Sequence, residues 1–291
     1  MTRRRRRPPC AGRSSIFSIR ALPGAVVSDF LALRRRKARP AQADLAEVMV
    51  SEADGIRAMY LGSDTMQSAM RVKDPCDLVL AYTRATMAFL LFQPDPRRIL
   101  HVGLGGGSLP RFCHARLPRA ENVAVEINPQ VVALCRSQFA LPDDERMQVV
   151  VDDGIDYVSR QTQAFDVIVI DAFDGRNIIT AMVAEPFLHD CRMALREGGV
   201  LAVNLWSRHP RFHEHIEAMR LAFDGKVLTL PAETHGNIVA FALGGLSGNA
   251  LRFDALTERA QAAGAAVGLD LAAMVPAMKK HNPHSGARLM L

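Results

Sequence analysis

The segment that decides the fold reads Arg98-Ile-Leu-His-Val-Gly-Leu-Gly-Gly-Gly-Ser-Leu-Pro110. Its pattern predicts an apolar strand over Ile99–Val102, a glycine turn, and a helix that opens with Pro110. Glycines let the backbone turn tightly and let a ligand approach without meeting a Cβ. The start of a helix presents unpaired N–H groups and the positive end of its dipole. The segment therefore predicts a nucleotide-binding turn in a doubly wound α/β sheet, with a plain tight strand–helix junction as the alternative.

Downstream of this turn, strand and helix patterns alternate. Strands are predicted at Asn122–Val125, Met147–Val151, Phe165–Ile170, Val200–Leu205, Lys226–Leu230 and Asn237–Leu243. Alternating β and α units form parallel sheets, and the last two strands predict an antiparallel edge hairpin. The predicted fold class is α/β, with a seven-stranded, mostly parallel, Rossmann-like sheet that resembles the sheet of S-adenosylmethionine-dependent methyltransferases.

Upstream of the turn, three short β-type runs between residues 46 and 72 are separated by turn residues. They predict a small antiparallel β-unit that serves as a lid or a dimerisation element. An amphipathic helix is predicted over Leu80–Phe92, and a helix over Glu185–Leu195 is expected to stop at Gly198-Gly199. The predicted domains are a disordered basic tail at 1–42, the β-unit at 43–75, and a nucleoside-binding catalytic domain at 76–291.

Composition separates the tail from the body of the chain. Residues 1–39 hold twelve of the 36 Arg and Lys residues and one of the 30 acids, so the remainder is mildly acidic. The tail is interpreted as a solvated extension, with nucleic acid or an anionic membrane as the alternative partner. Five cysteines without paired spacing predict reduced thiols, a cytoplasmic location and no zinc site. No apolar run reaches the roughly 18 residues of a membrane span, so no membrane-spanning segment is predicted. With the tail interpreted as a solvated extension, no membrane partner is expected.

Acidic residues follow successive predicted strands. They are Glu126, Asp153, Asp171 and Asp174. A single Asp after a strand is more often a helix cap than a ligand-binding residue. Because ligands of parallel α/β sheets bind at the carboxyl ends of the strands, several such acids predict one shared crevice.

Two classes of cofactor compete for that crevice. A dinucleotide site has the pattern G-x-G-x-x-G followed by an acid about 20 residues on. Here Gly103, Gly105 and Gly107 form the turn, and Ser108 stands in place of the third glycine. Glu126 suits both classes, since a carboxylate accepts hydrogen bonds from two ribose hydroxyls. The pattern favours an adenosine-based nucleotide without a pyrophosphate over NAD.

A family resemblance covers about Gly55 to Leu205. It rests on the glycine turn and on Val125-Glu-Ile-Asn-Pro129, Phe139-Ala-Leu-Pro142, Asp153-Gly154 and Phe165-Asp-Val-Ile-Val-Ile-Asp-Ala-Phe-Asp174. These motifs resemble the spermidine synthase (polyamine aminopropyltransferase) family. Tyr60-Leu-Gly-Ser-Asp-Thr-Met-Gln67 resembles that family's strand ending in Gln, and Tyr82 resembles its following Tyr.

The resemblance implies a role for each matching residue. Asp171 is implied as the catalytic acid–base residue. Gly103, Gly105, Gly107, Glu126, Asp153 and Gly154 are implied in nucleoside binding, and Asp174, Tyr82 and Gln67 in amine binding. It also implies decarboxylated S-adenosylmethionine as co-substrate, a putrescine-like amine as acceptor, and polyamine biosynthesis as the role. A homodimer without a metal is expected.

The chain departs from the family at Gly106, where the family has an Asp that binds the amine. Gly175 stands where the family has Pro. Two alternatives to the aminopropyltransferase therefore stay open. One is a methyltransferase that uses S-adenosylmethionine, and the other is a non-catalytic nucleotide- or nucleic-acid-binding module.

Overall fold

A computed structural model describes residues 45–174, 177–232, 236–245 and 250–291, without the side chains of residues 174, 177 and 178. The tail predicted at 1–42 lies outside these residues. In chain order the strands are β1 (Val48–Ala53), β2 (Ile56–Leu61), β3 (Met66–Arg71), β4 (Arg98–Val102), β5 (Glu121–Glu126), β6 (Met147–Val151), β7 (Phe165–Ile170), β8 (Phe173–Asp174), β9 (Asn177–Ile178), β10 (Leu195–Trp206), β11 (Val227–Pro231), β12 (Asn237–Leu243), β13 (Ala250–Arg252), β14 (His284–Ser285) and β15 (Arg288–Met290).

The helices alternate with the strands of the main sheet. They are α1 (Ala81–Thr86), α2 (Ser108–Arg116), α3 (Pro129–Gln138), α4 (Gly154–Ser159), α5 (Glu185–Ala194), α6 (Phe212–Ala222), α7 (Phe253–Val267) and α8 (Met274–His281). Two 3-10 segments, Met87–Leu91 and Thr180–Val183, complete the described helical structure.

The N-terminal strands form an antiparallel sheet in the order β1-β2-β3. Asp54 (φ 52°) and Gly55 (φ 74°) form the tight connection between β1 and β2. Positive φ at both central residues suits the right-handed twist of a two-residue hairpin. The predicted β-unit is confirmed.

The main sheet has the order β11-β12-β10-β7-β4-β5-β6. β12 is antiparallel to both of its neighbours, and the other pairs are parallel. The predicted fold class is therefore confirmed. The strand order reverses between β4 and β7, and this switch point is where the carboxyl ends of a parallel sheet leave a crevice.

Apolar layers cover both faces of the main sheet. Alternate residues of one strand belong to different layers, as Ile99 does on one face and Leu100 on the other. All six residues of β7 are buried, which explains its apolar run Val167–Ile170. The one polar residue of the strand, Asp166, accepts from the N–H groups of Arg97 and Arg98 over 2.8 Å each. A third cluster, which includes Phe139, packs α3 and β5 against the N-terminal sheet.

Two details of the sequence prediction are wrong. Leu80–Phe92 is not one amphipathic helix: α1 gives way to a 3-10 segment in which every side chain is buried. This segment packs against α7 within an apolar cluster that also contains residues of β12, so it has no polar face. Gly198 and Gly199 do not stop a helix but lie inside β10, where the register with β7 shifts. The small C-terminal sheet β13-β15-β14 was not predicted.

Within the described ranges, no helix is both long and apolar enough to cross a bilayer. Nor does this part of the chain group three His, Cys, Asp or Glu side chains in a way that could hold a metal ion. Its four cysteines are free thiols.

Candidate active site

The glycine turn lies where β4, β5 and β7 end. Gly103 has a φ of +92°, and a Cβ on it would lie 2.3 Å from the carbonyl oxygen of Asp171. The Gly103 N–H donates to the Val125 carbonyl over 2.9 Å, and the Asp171 N–H donates to the Val102 carbonyl over 2.9 Å. Only glycine fits so close to a neighbouring backbone. The turn and Asp171 are thereby fixed to each other.

The helix after the turn begins earlier than predicted. α2 starts at Ser108, and Pro110 lies in its first turn. Gly107 caps this helix with a φ of +67°, and Gly105 has a φ of +50°. The Ser108 hydroxyl donates to the Ala69 carbonyl over 3.2 Å, which joins the helix start to β3. A helix start with free N–H groups lies at the switch point.

Glu126, at the end of β5, lies beneath the glycine turn. Its Oε2 accepts from the Leu104 N–H over 3.0 Å, and its Oε1 accepts from the Asn128 N–H over 2.9 Å. Burial raises the pKa of this carboxyl although these backbone donors act to lower it. The N–H groups of Gly105 and Ile127 also act on this carboxyl, so four backbone donors hold it beneath the turn.

The two acids after β6 have different partners. Asp152 forms an ion pair with Arg160. Asp153 caps α4, because its Oδ1 accepts from the Ile155 N–H over 2.8 Å. Its Oδ2 has no hydrogen-bond partner among the described residues. A Cβ on Gly154 would lie 2.6 Å from Cγ1 of Val102, so α4 starts directly beside β4. Of the two acids, Asp153 is the one with an oxygen available to a ligand.

Asp171 follows β7 and accepts one hydrogen bond at each oxygen. The Tyr82 hydroxyl donates to Oδ2 over 2.9 Å, and Asn204 Nδ2 donates to Oδ1 over 2.9 Å. Burial raises the pKa of the Asp171 carboxyl, against the lowering effect of these two donors. Burial and the nearby Asp171 also raise the pKa of the Tyr82 phenol well above its usual range. Tyr82 therefore stays a hydrogen-bond donor.

Gln67 and Asp174 complete the residues predicted for amine binding. The Tyr82 hydroxyl also lies 3.4 Å from the backbone carbonyl of Gln67, which brings β3 to the edge of the site. The backbone of Asp174 pairs with that of Asn177, where β8 and β9 run antiparallel shortly after Asp171. The side chain of Asp174 is outside the described structure.

Three residues of the site were not predicted: the buried Arg111 and Asn204, and the half-buried Asn237. The Arg111 guanidinium donates to the carbonyls of Pro75, Gly106 and Phe139 over 2.6, 2.8 and 2.7 Å. It is 2% exposed. A signal existed for Asn204, which is the single polar residue within the apolar run of β10. No comparable signal marks Asn237.

Gly106 is closely packed. A Cβ there would lie 2.7 Å from Oγ of Ser68 and 2.9 Å from the Phe139 ring. An acidic side chain at this position would displace both neighbours. The surroundings of the turn are therefore built around the glycine that replaces the acid.

A glycine turn, acids at strand ends and a buried carboxylate at one switch point are typical of nucleoside-dependent α/β transferases, and comparisons identify the family. The profile of the spermine/spermidine synthase domain matches residues 80–237. A polyamine aminopropyltransferase of Chromobacterium violaceum is 42% identical over 258 residues, which cover 88% of this chain and 98% of the relative. The chain therefore belongs to the spermine/spermidine synthase family, and the enzyme class predicted from the sequence, an aminopropyltransferase, is confirmed. Family membership implies decarboxylated S-adenosylmethionine as co-substrate and an amine as substrate.

Solved structures agree with the fold. A probable spermidine synthase from Corynebacterium glutamicum has a TM-score of 0.63 at 20% identity and covers 73% of this chain and 83% of that one. Human methyltransferase-like protein 13 in complex with SAH has a TM-score of 0.56 at 27% identity and covers 65% of this chain and 90% of that one. The same sheet thus occurs in aminopropyltransferases and methyltransferases.

Proposed function

We propose that this enzyme transfers the aminopropyl group of decarboxylated S-adenosylmethionine to a putrescine-like amine, a step of polyamine biosynthesis. The observation that supports this most directly is the place of Asp171. Its carboxylate is held by Tyr82 and Asn204, and its backbone touches Gly103 of the glycine turn. A proton acceptor and a nucleoside-binding turn therefore meet at one point.

Glu126 and Asp153 are proposed to hold the nucleoside. Glu126 would accept from the ribose hydroxyls while Leu104 and Asn128 keep its carboxylate in place. Asp153 would accept from the adenine amino group at the start of α4, beside Gly154. Gly103, Gly105 and Gly107 allow close approach of the ligand, because a side chain there would narrow the turn.

Asp171 is proposed as the base. The acceptor amine attacks the carbon next to the sulfonium, the C–N bond forms, and the C–S bond breaks with its electrons going to sulfur. The amine loses a proton to the Asp171 carboxylate, since only its neutral form has a lone pair for attack. The raised pKa of Asp171 makes this carboxylate a better proton acceptor. Correct placement of the two reactants supplies most of the remaining rate.

Tyr82, Gln67 and Asp174 are proposed to bind the amine. Tyr82 and the backbone of Gln67 lie together next to Asp171. Asp174 follows Asp171 by three residues, so its carboxylate is proposed to attract the second ammonium group of a diamine. A mildly acidic chain body supports the attraction of such a cation.

Gly106 supports a second candidate, methyl transfer from S-adenosylmethionine. The family has an Asp at this position, and a carboxylate there would repel the carboxylate that S-adenosylmethionine carries and its decarboxylated form lacks. Ser68 and Phe139 fill the space that an acid would need. The glycine turn of this chain thus removes one barrier to S-adenosylmethionine.

One experiment separates the candidates. The purified protein is titrated calorimetrically with decarboxylated S-adenosylmethionine, S-adenosylmethionine and methylthioadenosine, and then incubated with each donor and putrescine for product analysis. Aminopropylated putrescine supports the first candidate. Binding of S-adenosylmethionine together with a methylated product supports the second. Binding of none of the three nucleosides would falsify both.

The remaining proposals concern assembly and location. Exposed Met49 and Met66 on the N-terminal sheet support a homodimer that uses the predicted 43–75 unit, and light scattering of the purified protein tests it.

Free Cys76, Cys113, Cys135 and Cys191 support a cytoplasmic location. Full turnover after extensive chelation is the expected result for an enzyme that uses no metal.

A further inference from the structure

Asn204 and Asn237 form a chain of amides that ends on Asp171. Asn237 Nδ2 donates to Asn204 Oδ1 over 3.0 Å, and Asn204 Nδ2 donates to Asp171 Oδ1 over 2.9 Å. Asn204 is 3% exposed. A buried amide must satisfy its polar atoms within the protein, and Asn204 does so with these two partners.

The register of three strands produces this arrangement. Val203 of β10 pairs in parallel with Ile170, the last residue of β7. Asn204 and Asp171, which follow these two residues, are therefore lateral neighbours. On the other side, Asn204 pairs with Val239 and Trp206 pairs with Asn237 in β12. Asn237 is therefore the diagonal neighbour of Asn204 on the same face of the sheet.

The direction of the Asn204 amide is determined at both of its ends. Its NH₂ group faces a carboxylate that only accepts, and its oxygen faces an NH₂ group that only donates. A turned amide would place oxygen against the Asp171 carboxylate and NH₂ against the Asn237 NH₂. Hydrogen bonds to an ionised acceptor are about twice as strong as neutral ones, so the observed direction favours the unprotonated carboxylate.

We propose that Asn204, oriented by Asn237, is a positioning residue that keeps the Asp171 carboxylate unprotonated and aimed at the acceptor amine. Its catalytic consequence rests on the proposed function. With Asn204 on Oδ1 and Tyr82 on Oδ2, the carboxylate cannot rotate, and each oxygen keeps capacity for one more proton donor. The titratable group that faces Asp171 among the described side chains is Tyr82, on α1, while β10 and β12 present uncharged amides.

The test uses N204A, N237A and the double variant. Loss of a hydrogen bond to a charged group destabilises the charged form, so N204A is expected to raise the pKa of the Asp171 carboxyl. N237A raises it less, because Asn204 is retained but free to turn. In the N204A background, N237A adds no further shift. Carbon-13 carboxyl shifts of labelled Asp, assigned with D171N, measure the pKa without substrate.

Turnover provides the second readout. In N204A, kcat/KM is expected to fall about tenfold per unit of pKa shift on the acid side of its pH profile and to approach wild type at high pH. N122A is the matched control, since Asn122 is a buried amide of the same sheet bonded to His101. It leaves the Asp171 titration unchanged.

The outcomes separate the positioning role from the proposed function. An unchanged Asp171 titration in N204A overturns the positioning role, and an unchanged titration in N237A does so if N204A fails to fold. Shifted titrations in a protein that makes no aminopropyl product leave the positioning role intact and remove the proposed reaction.

Discussion

The residues proposed to bind the nucleoside and those proposed to act on the amine are held in different ways, and we call them the nucleoside side and the amine side of the site. On the nucleoside side, backbone N–H groups fix the acids: Leu104 and Asn128 hold Glu126, and Ile155 holds Asp153. On the amine side, the side chains of Tyr82, Asn204 and Asn237 fix Asp171. Backbone donors are present whatever the side chain, whereas one substitution removes a side-chain donor. The amine side is therefore the part of the site that is easier to change.

The largest expected effect separates chemistry from binding. D171N removes the proton acceptor but keeps the shape, so turnover is expected to fall about a thousandfold. Nucleoside affinity stays near wild type, because Glu126 and Asp153 are unaffected. Single-turnover kinetics and calorimetry measure the two quantities. Equal turnover in D171N and wild type would remove Asp171 from its role.

The next largest effect is expected at Gly103, where the glycine turn contacts the backbone of Asp171. G103A forces a Cβ to within 2.3 Å of the Asp171 carbonyl oxygen at a φ of +92°. Its free energy of unfolding in urea is expected to fall by about 3 kcal/mol or more. G198A is the control, because Gly198 has a φ of +74° but no atom within 4 Å of its Cβ position. Backbone strain alone there costs about 1 kcal/mol. Equal losses in the two variants would contradict the close contact.

On the nucleoside side, E126Q tests whether the backbone N–H groups around Glu126 require a carboxylate at this position. An amide NH₂ would face the N–H of Leu104 or Asn128, leaving a buried donor unpaired and the turn disturbed. Nucleoside affinity is expected to fall by about 1.5–3 kcal/mol, measured by calorimetry. E121Q, at the exposed start of the same strand, should bind as wild type does. A loss of the same size in E121Q would show that the effect is not local.

Asp153 combines a cap with a proposed ligand contact, and two substitutions separate them. D153A removes the cap of α4, so its free energy of unfolding is expected to fall by about 1 kcal/mol. Its nucleoside affinity is expected to fall too. D153S keeps a capping hydroxyl, so stability is retained while affinity falls. Thermal melts and calorimetry report the two effects. Full affinity in D153S would place the adenine elsewhere.

The smallest effect is a dependence of stability on pH. Burial raises the pKa of Asp171 in the folded protein above its unfolded value. The folded state then binds the proton more readily, so this contribution to stability is present at low pH and is lost as pH rises through the folded pKa. D171N, which does not titrate, is expected to lose less stability than the wild type as the pH rises to 8. Urea unfolding at several pH values measures the two dependences, and parallel curves would contradict a raised pKa.

Sequence patterns were sufficient for the parts of the fold that depend on one strand or turn. The apolar run Val167–Ile170 of β7 predicted a buried strand of the sheet, and the acids at strand ends predicted the crevice. Burial on all sides removed the periodicity of Met87–Leu91, so its 3-10 form could not be predicted. The contact between Asn204 and Asn237 depends on the pairing of β10 with β12, which neither residue reveals alone.

Arg111 has a consequence for the thermodynamics of ligand binding. Its guanidinium joins three carbonyls from the segment before α1, the glycine turn and the end of α3. The turn is thus ordered before any nucleoside arrives. Binding to a loop that is already ordered loses little conformational entropy. Most of the favourable energy of the proposed contact between the turn and the nucleoside is therefore expected to remain as affinity.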